Sequence, residues 1–256
     1  MDLGMQGRTV VITGGSKGIG LACAMRFAAE GCNLHLVSRD PGRLESARDA
    51  VRAKHRVDVA LHPADLRDGQ AVRRVAAAAG AVDVLVNNAG DIPGGSLLDI
   101  DEAGWRHAWD LKLFGYVNMT REVLAGMKAR HDREKIGGVI VNVIGMAGEK
   151  PSYEYICGAV ANAGLAAFTK GLGGKTPEFG VRVLAVHPPA TRTDRIMTLA
   201  RNVAKQKYGD ESRADEVLRD GSFGRVIEPE QVADTVAFLA SDRAGQLSGV
   251  VLNLGA

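Results

Sequence analysis

The chain has 256 residues, of which 46% are hydrophobic and 24% are charged, proportions that are typical of a soluble globular protein. Its 32 Lys and Arg residues almost balance its 30 Asp and Glu residues, so the formal net charge of +2 argues against nucleic acid or an anionic membrane as the main partner. No apolar run approaches the roughly 20 residues of a membrane-spanning helix, and the N-terminal residues do not follow a signal-peptide pattern, which predicts a cytoplasmic protein.

Apolar, β-branched segments alternate along the chain with longer segments of helical periodicity. Seven segments have the composition of strands: Thr9–Thr13, Asn33–Ser38, Val57–Pro63, Val82–Asn87, Gly138–Ile144, Val181–His187 and Val250–Leu254. Six have a helical pattern: Gly18–Glu30, Gly42–Lys54, Asp68–Ala79, Glu102–Arg130, Tyr153–Gly173 and Pro229–Ser241. Because continuous apolar strands suit a parallel sheet that is buried on both faces, the alternation predicts one α/β domain over residues 1–256. Its fold is a Rossmann-type, doubly wound, seven-stranded parallel sheet with helices on both faces.

Glycine is unusually frequent, with 32 residues, about one in eight against a usual ~7%. Part of this excess falls where the first predicted strand meets the first predicted helix. There the sequence TGGSKGIG places Gly14, Gly18 and Gly20 at a spacing that removes side chains where a pyrophosphate would approach, and the helix N-terminus adds free backbone donors. The motif predicts a dinucleotide-binding turn; a tight turn without a ligand is the alternative.

Four motifs together resemble the short-chain dehydrogenase/reductase family over nearly the whole chain. They are TGGSKGIG at Thr13–Gly20, NNAG at Asn87–Gly90, PPATRT at Pro188–Thr193 and a C-terminal stretch over residues 224–249. The resemblance implies an oxidoreductase that acts on a carbonyl or alcohol group of a small-molecule substrate with a nicotinamide dinucleotide as cofactor. It also implies a homodimer or homotetramer, and a substrate lid at about residues 194–224.

The residues after the second predicted strand favour NADP over NAD. Family members that prefer NAD usually carry an acidic residue at this strand end, which holds the ribose 2′-hydroxyl, whereas this chain has Ser38 and Arg39, with Lys17 in the glycine-rich turn. Two cations suit a 2′-phosphate, because a guanidinium makes charge-assisted contacts to phosphate; NAD is the alternative if Asp40 serves as the acid. By resemblance, the cofactor-binding residues are Gly14, Ser16, Lys17, Gly18, Ile19, Gly20, Ser38, Arg39, Asp65, Leu66, Asn88, Ala89, Gly90, Pro188 and Thr193.

The four side chains on which the family's chemistry rests, Asn, Ser, Tyr and Lys, are all replaced in this chain. Aligned without gaps, their positions hold Lys112, Gly145, Gly158 and Asn162. Tyr155 precedes Gly158 by three residues, about one helical turn, and is the candidate for a relocated proton donor, with Lys112 as its cation on the opposite wall. The alternative is that Tyr155 packs in the core and that Lys112 is a surface or interface charge.

Two functions are compatible with this pattern. The first is an NADP(H)-dependent oxidoreductase with a non-standard active site, which the intact cofactor turn supports. The alternative is a catalytically inactive NADP-binding regulator or structural partner subunit, which the loss of all four side chains supports. The six histidines and three cysteines do not have the spacing of metal ligands, so no metal is predicted.

Overall fold

The computed structural model describes residues 2–218 and 226–255. Its central feature is one seven-stranded parallel sheet with the strand order β3-β2-β1-β4-β5-β6-β7. The strands are β1 Thr9–Thr13, β2 Asn33–Ser38, β3 Val59–Pro63, β4 Val84–Asn87, β5 Gly138–Val143, β6 Val181–His187 and β7 Val251–Asn253. The predicted doubly wound parallel sheet is therefore confirmed, with strand ends that shift by at most two residues.

Helices connect the strands and lie on both faces of the sheet. They are α1 Gly18–Ala29, α2 Pro41–Arg52, α3 Gly69–Ala79, α4 Glu102–Trp109, α5 Gly115–Glu134, α6 Ile156–Gly173, α7 Asp194–Tyr208, α8 Ala214–Leu218 and α9 Pro229–Ala240. Asp40, Asp68 and Asp101 each accept a hydrogen bond from a backbone N–H in the first turn of α2, α3 and α4, which satisfies donors that a helix leaves free. Over the ranges that the structure describes, no helix has both the length and the apolar character needed to cross a membrane.

The sheet is buried on both faces. In β1, Val10 and Ile12 point into one apolar cluster, while Val11 points into the other, as the two-residue period of a strand requires. Helices α1, α2 and α9 complete the first cluster, and α3 and α5 complete the second. Because helices cover both faces, a ligand reaches the sheet at the ends of its strands.

Two predicted helices differ from the structure by more than two residues at one end. The helix predicted over Glu102–Arg130 consists of α4 and α5, joined by a π-helical turn at Asp110–Phe114, and extends to Glu134. The helix predicted from Tyr153 begins at Ile156, because the backbone of Tyr155 pairs with Gly95 in an isolated parallel bridge and is held outside the helical region.

The predicted lid at residues 194–224 is partly described. Its first part forms α7, a short turn and α8, whereas residues 219–224 lie outside the described ranges. Helix α7 begins with Thr193 as its N-cap residue, so the segment predicted as a lid directly follows the residues that leave β6.

Candidate active site

Close backbone approaches shape the glycine-rich turn between β1 and α1. Gly14 has a φ of +68°, which side-chain-bearing residues rarely adopt, and a Cβ on Gly20 would overlap the Gly14 carbonyl group. Asn88 Nδ2 donates hydrogen bonds to the carbonyls of Thr13 (3.0 Å) and Gly14 (3.3 Å), which ties the turn to the end of β4. No side chain caps the N-terminus of α1, whose N-cap residue is Lys17, so its backbone N–H groups are available to an anion.

A cleft of about 620 Å³ lies at the carboxyl ends of β1 to β4, a volume in the range of small-molecule sites. Twelve of the residues predicted to bind the cofactor line it: Gly14, Ser16, Lys17, Gly18, Ile19, Ser38, Arg39, Leu66, Asn88, Ala89, Gly90 and Thr193. Gly20, Asp65 and Pro188 are not among the lining residues. Gly20 packs inside the turn, Asp65 accepts a hydrogen bond from the Arg67 backbone at 3.0 Å, and the Pro188 carbonyl accepts one from Met146 N at 2.9 Å.

The end of β2 presents a hydroxyl pair and a cation to this cleft. Ser16 Oγ donates a hydrogen bond to Ser38 Oγ at 3.0 Å, and the exposed Arg39 guanidinium lies 3.4 Å from the Asp91 carboxylate. Asp40, the alternative acid for NAD, accepts a hydrogen bond of 3.0 Å from a backbone N–H of α2 as its N-cap residue and does not line the cleft. Asp40, the acidic residue at this strand end, therefore caps helix α2, whereas Arg39 lines the cleft.

At two of the four positions that the resemblance assigns to the family's catalytic side chains, neighbouring side chains use the space in front of a glycine. Gly145 has a φ of +140°, and a Cβ on it would lie 2.9 Å from Asn162 Nδ2, so this backbone does not accept a serine without strain. A Cβ on Gly158 would overlap the ring of Tyr155. The Tyr155 ring therefore fills the volume into which a side chain at position 158 would extend.

Lys112 is a buried cation on the π-helical turn, with 7% of its surface exposed. Its Nζ donates hydrogen bonds to Tyr116 Oη (2.9 Å) and to the carbonyls of Val143 (2.9 Å) and Ile144 (3.1 Å). Burial, assisted by the positive charge of Arg195, lowers the pKa of Lys112 to about 7. An amine with this pKa exchanges protons near neutral pH.

Tyr116 takes the place beside Lys112 that the sequence assigned to Tyr155. The Tyr116 hydroxyl also donates to the Val143 carbonyl at 2.8 Å, and burial raises the pKa of Tyr116 well above its usual value. No hydrogen bond between Lys112 and Tyr155 occurs in the described structure. The expected Lys112–Tyr155 pair is thus replaced by a buried Lys112–Tyr116 pair behind the carboxyl end of β5.

Tyr155 is fixed at the start of α6 by its backbone and by its ring. The backbone pairs with Gly95, and the ring packs against the apolar cluster that contains Ile92 and Trp109. Burial raises the pKa of Tyr155, and the Arg195 guanidinium partly offsets this rise through its charge and a side-chain hydrogen bond. The phenol therefore stays protonated at neutral pH, as a proton donor must.

Tyr116 and Arg195 were not identified from the sequence. Tyr116 follows Lys112 by four residues, the spacing at which side chains meet on one helix face, so that signal was available. Arg195 lies in the first turn of α7, lines the cleft and donates a hydrogen bond to the Ile92 carbonyl. Its neighbour Arg192 carries the same sequence signal but pairs with two carboxylates, so the sequence alone does not distinguish the two arginines.

Comparisons with known proteins agree with this geometry. The family model described as short chain dehydrogenase matches residues 8–204. The oxidoreductase UcpA of Escherichia coli is 32% identical over 252 residues, which cover 96% of this chain and 92% of that protein. The 2,3-dihydro-2,3-dihydroxybenzoate dehydrogenase of Bacillus subtilis is 28% identical over 257 residues, which cover 96% of this chain and 93% of that protein.

Solved structures extend the similarity to the whole chain. The L-sorbose reductase of Gluconobacter frateurii, determined with NADPH and L-sorbose, superposes with a TM-score of 0.93 at 30% identity and covers 100% of this chain and 98% of its own. Levodione reductase superposes with a TM-score of 0.88 at 28% identity. Because both the family model and these relatives span most of the chain, the protein belongs to the short chain dehydrogenase family of NAD(P)-dependent oxidoreductases.

Proposed function

We propose that the protein is an NADPH-dependent carbonyl reductase, and in the reverse direction an alcohol dehydrogenase, with a non-standard active site. Tyr155 is the proton donor, and Lys112 is the second titrating group. One observation carries the proposal: the same cleft is lined by the glycine-rich turn, Arg39 and Arg195, and Arg195 donates a hydrogen bond to the carbonyl of Ile92, which belongs to the apolar cluster that Tyr155 packs against. Tyr155, a group that can protonate a carbonyl oxygen, does not line the cleft itself but packs against the cluster beside it.

The residues of the cleft fit a phosphorylated dinucleotide. The uncapped N-terminus of α1 suits the pyrophosphate, and the guanidinium of Arg39, beside Lys17 and the Ser16–Ser38 hydroxyl pair, suits a 2′-phosphate. The similar L-sorbose reductase structure contains NADPH, which favours the same cofactor. NAD is the weaker candidate because Asp40 is used as a helix cap. We therefore expect tighter binding of NADPH than of NADH.

The chain's own residues supply the proton and the orientation of the substrate. When bound, NADPH supplies a hydride to the carbonyl carbon of the substrate. The Tyr155 hydroxyl donates its proton to the carbonyl oxygen, and a proton from water then restores the phenol. Lys112 lies next to Gly90, which lines the cleft: its Nζ would be 3.5 Å from a Cβ at position 90. Because its pKa is about 7, its ammonium group can exchange a proton near neutral pH.

Calorimetry with NADPH and NADH tests the cofactor assignment. Charge-assisted hydrogen bonds contribute about 1.5–3 kcal/mol, so Arg39→Ala should weaken NADPH binding about 10- to 100-fold and leave NADH binding unchanged. Arg52→Ala, which changes an exposed arginine at the far end of α2, is the matched control. Equal losses for both cofactors would contradict a 2′-phosphate contact, and no binding of either one would contradict the proposed function.

Turnover of a panel of carbonyl compounds with NADPH tests the catalytic assignment. General acid catalysis contributes ~10²–10⁴-fold, so Tyr155→Phe should lower kcat/KM by that factor while NADPH still binds. Cofactor binding without turnover of any compound would favour the catalytically inactive NADP-binding regulator instead. A Tyr155→Phe variant as active as the wild type would exclude Tyr155 as the proton donor.

The assembly, compartment and domain limits are part of the same proposal. We propose a homodimer or homotetramer, because the π-helical turn and α6 expose Phe114 and Val160, with 51% and 44% of their surface accessible. The three cysteines form no disulfide and are buried, which suits a reducing cytoplasm, a placement that cell fractionation checks.

Residues 1–256 form one domain whose lid spans about 194–224, and limited proteolysis with and without NADPH tests where that lid begins.

A further inference from the structure

We propose that Asp91 is a specificity-determining residue of the cofactor site, and that it weakens the preference for NADPH over NADH by holding the guanidinium of Arg39. The inference rests on the proposed function, which places the 2′-phosphate of NADPH at Arg39. Asp91 belongs to the opposite wall of the cleft, since Arg39 follows β2 and Asp91 follows β4. The cation assigned to the phosphate is thus already engaged by a carboxylate.

The ion pair between Arg39 and Asp91 spans the end of β1. Strand β1 lies between β2 and β4 in the sheet, and neighbouring strands are about 4.8 Å apart, so the pair joins two strands that are roughly 10 Å apart. The Arg39 Nη2 and Asp91 Oδ2 atoms are 3.4 Å apart, and both residues line the cleft together with Gly14 of the glycine-rich turn. A cofactor that enters between these two walls therefore meets the guanidinium and the carboxylate together.

The backbone that carries Asp91 is fixed on both sides. Ile92, the next residue, is only 2% exposed, and its carbonyl accepts a hydrogen bond from Arg195. Asn88, three residues before Asp91, donates a hydrogen bond from Nδ2 to the Thr13 carbonyl at 3.0 Å. Asp91 therefore extends its carboxylate from a position that the fold determines, and its contact with the guanidinium follows from that position.

The ion pair contributes little to folding, so its main effect falls on ligand binding. The side chains of Arg39 and Asp91 are 53% and 58% exposed, and water weakens an ion pair at such positions. In the part of the chain that the structure describes, neither side chain has another salt-bridge partner. Their separation of 3.4 Å exceeds the about 2.7–2.9 Å of a strong charge-assisted hydrogen bond, whereas a phosphate binds a guanidinium through two such bonds. A 2′-phosphate therefore takes over the guanidinium, but it does so beside the negative charge of Asp91.

The two cofactors differ in how this carboxylate affects them. The 2′-phosphate of NADPH is negatively charged, and like charges a few ångströms apart repel each other. NADH has an uncharged hydroxyl at the same position of its ribose, so it does not experience this repulsion. Asp40, the other carboxylate near the end of β2, caps α2 and does not line the cleft. Asp91 therefore narrows the difference in affinity between the two cofactors.

Calorimetry with NADPH and NADH on Asp91→Asn tests the assignment without relying on turnover. Asparagine keeps the size of the side chain and removes its charge, so NADPH binding should tighten about 3- to 10-fold, the effect of removing one like charge at an exposed site, while NADH binding stays unchanged. Asp132→Asn is the matched control, because Asp132 is 57% exposed, pairs with Lys128 and does not line the cleft. At about 1 M salt, where the screening length is ~3 Å, the difference between the wild type and Asp91→Asn should shrink, which a structural effect would not do.

The same measurement in an Arg39→Ala background shows whether Asp91 acts through Arg39. There Asp91→Asn should tighten NADPH binding less than it does when Arg39 is present, because no guanidinium is left for the carboxylate to hold. Unchanged NADPH binding in Asp91→Asn, an equal gain for NADH, or an equal gain in both backgrounds overturns the assignment. Tighter NADPH binding in a protein that turns over no carbonyl compound upholds the role of Asp91 and counts against the proposed reductase activity, whereas no NADPH binding in any variant overturns both.

Discussion

Positions 155 and 158 cannot be understood separately. The ring of Tyr155 lies where a Cβ of residue 158 would be, and the ring, rather than backbone, is the obstacle. Glycine at 158 is therefore a packing requirement of this tyrosine. Tyr155 and the glycine at 158, which the resemblance places at the family's tyrosine position, are thus two parts of one packing arrangement.

This coupling predicts the stability of variants at Gly158. Gly158→Ala should lower the free energy of unfolding by about 1–3 kcal/mol, the usual cost of overpacking, whereas in a Tyr155→Ala background most of that cost should vanish. Gly171→Ala is the control on the same helix: its Cβ would meet nothing within 4 Å, so it should stabilise by up to about 1 kcal/mol. Denaturant unfolding of the four combinations measures the coupling, and additive effects would contradict it.

The buried ammonium of Lys112 predicts a pH-dependent stability. Its pKa is about 7 in the folded chain and near the ordinary 10.5 in the unfolded chain, so between these values the unfolded state binds more protons. The free energy of unfolding should therefore rise with pH across this window, by up to about 1.4 kcal/mol per pH unit. Below pH 7 the cost of burying the charge is fully present.

Urea unfolding from pH 7 to pH 10 checks this slope against Lys112→Met, which lacks the titrating group. The difference in unfolding free energy between the wild type and Lys112→Met should change steadily with pH. Lys175→Met, which changes a lysine whose side chain is 71% exposed, should run parallel to the wild type. Parallel curves for Lys112→Met as well would show that Lys112 keeps an ordinary pKa in the folded chain.

Most of the predicted cofactor residues line one cleft, whereas the contacts of the candidate catalytic residues were not predictable from the sequence. Gly14, Ser38 and Arg39 lie next to a strand end in the chain, so local pattern was sufficient to place them in one cleft. The hydrogen bond from Arg195 to the Ile92 carbonyl joins positions 103 residues apart in the chain. No local sequence period encodes such a contact, because it depends on tertiary packing.

At the scale of elements, strands were more predictable than helix boundaries. The apolar runs of β1, β2 and β6 are bounded by glycine or polar residues, and their predicted limits agree with the structure. The start of α6 was placed too early, because the Gly95 bridge that holds Tyr155 out of the helix is a tertiary interaction. Helix α2 shows the opposite case: Asp40 is an acidic residue at a strand end by sequence and a helix cap in the structure, since Pro41 places it directly before the first turn.

At the scale of the whole molecule, the parallel sheet brings most of the predicted cofactor residues to the carboxyl ends of its strands. The glycine-rich turn, the end of β2 and the segment after β6 are far apart in sequence, yet they line the same cleft, because parallel strands end on the same side. This architecture follows from buried strands alternating with helices, so it was predictable. The π-helical turn and α6, by contrast, expose the apolar side chains of Phe114 and Val160.

Self-association through these two side chains predicts the size of the particle. Light scattering should give a mass that is two or four times the 27.0 kDa of one chain, and Val160→Glu should lower it, because a charge in an apolar contact is unfavourable. Leu98→Glu, at a loop residue that is 88% exposed, is the control and should leave the mass unchanged. A monomeric wild type would contradict the proposed assembly.

The π-helical turn at Asp110–Phe114 has a consequence for the helical phase of the whole segment. Such a turn is equivalent to one residue inserted into an α-helix, so α4 and α5 differ in phase by about 100°, one residue's rotation. In the present phase Lys112 faces the β5 carbonyls while Met119, Val123 and Met127 face the core. If one residue were removed from this turn, either Lys112 would keep its contact with the β5 carbonyls or the apolar side chains of α5 would keep their place in the core, but not both. The length of the turn therefore determines both the position of Lys112 and the packing of α5.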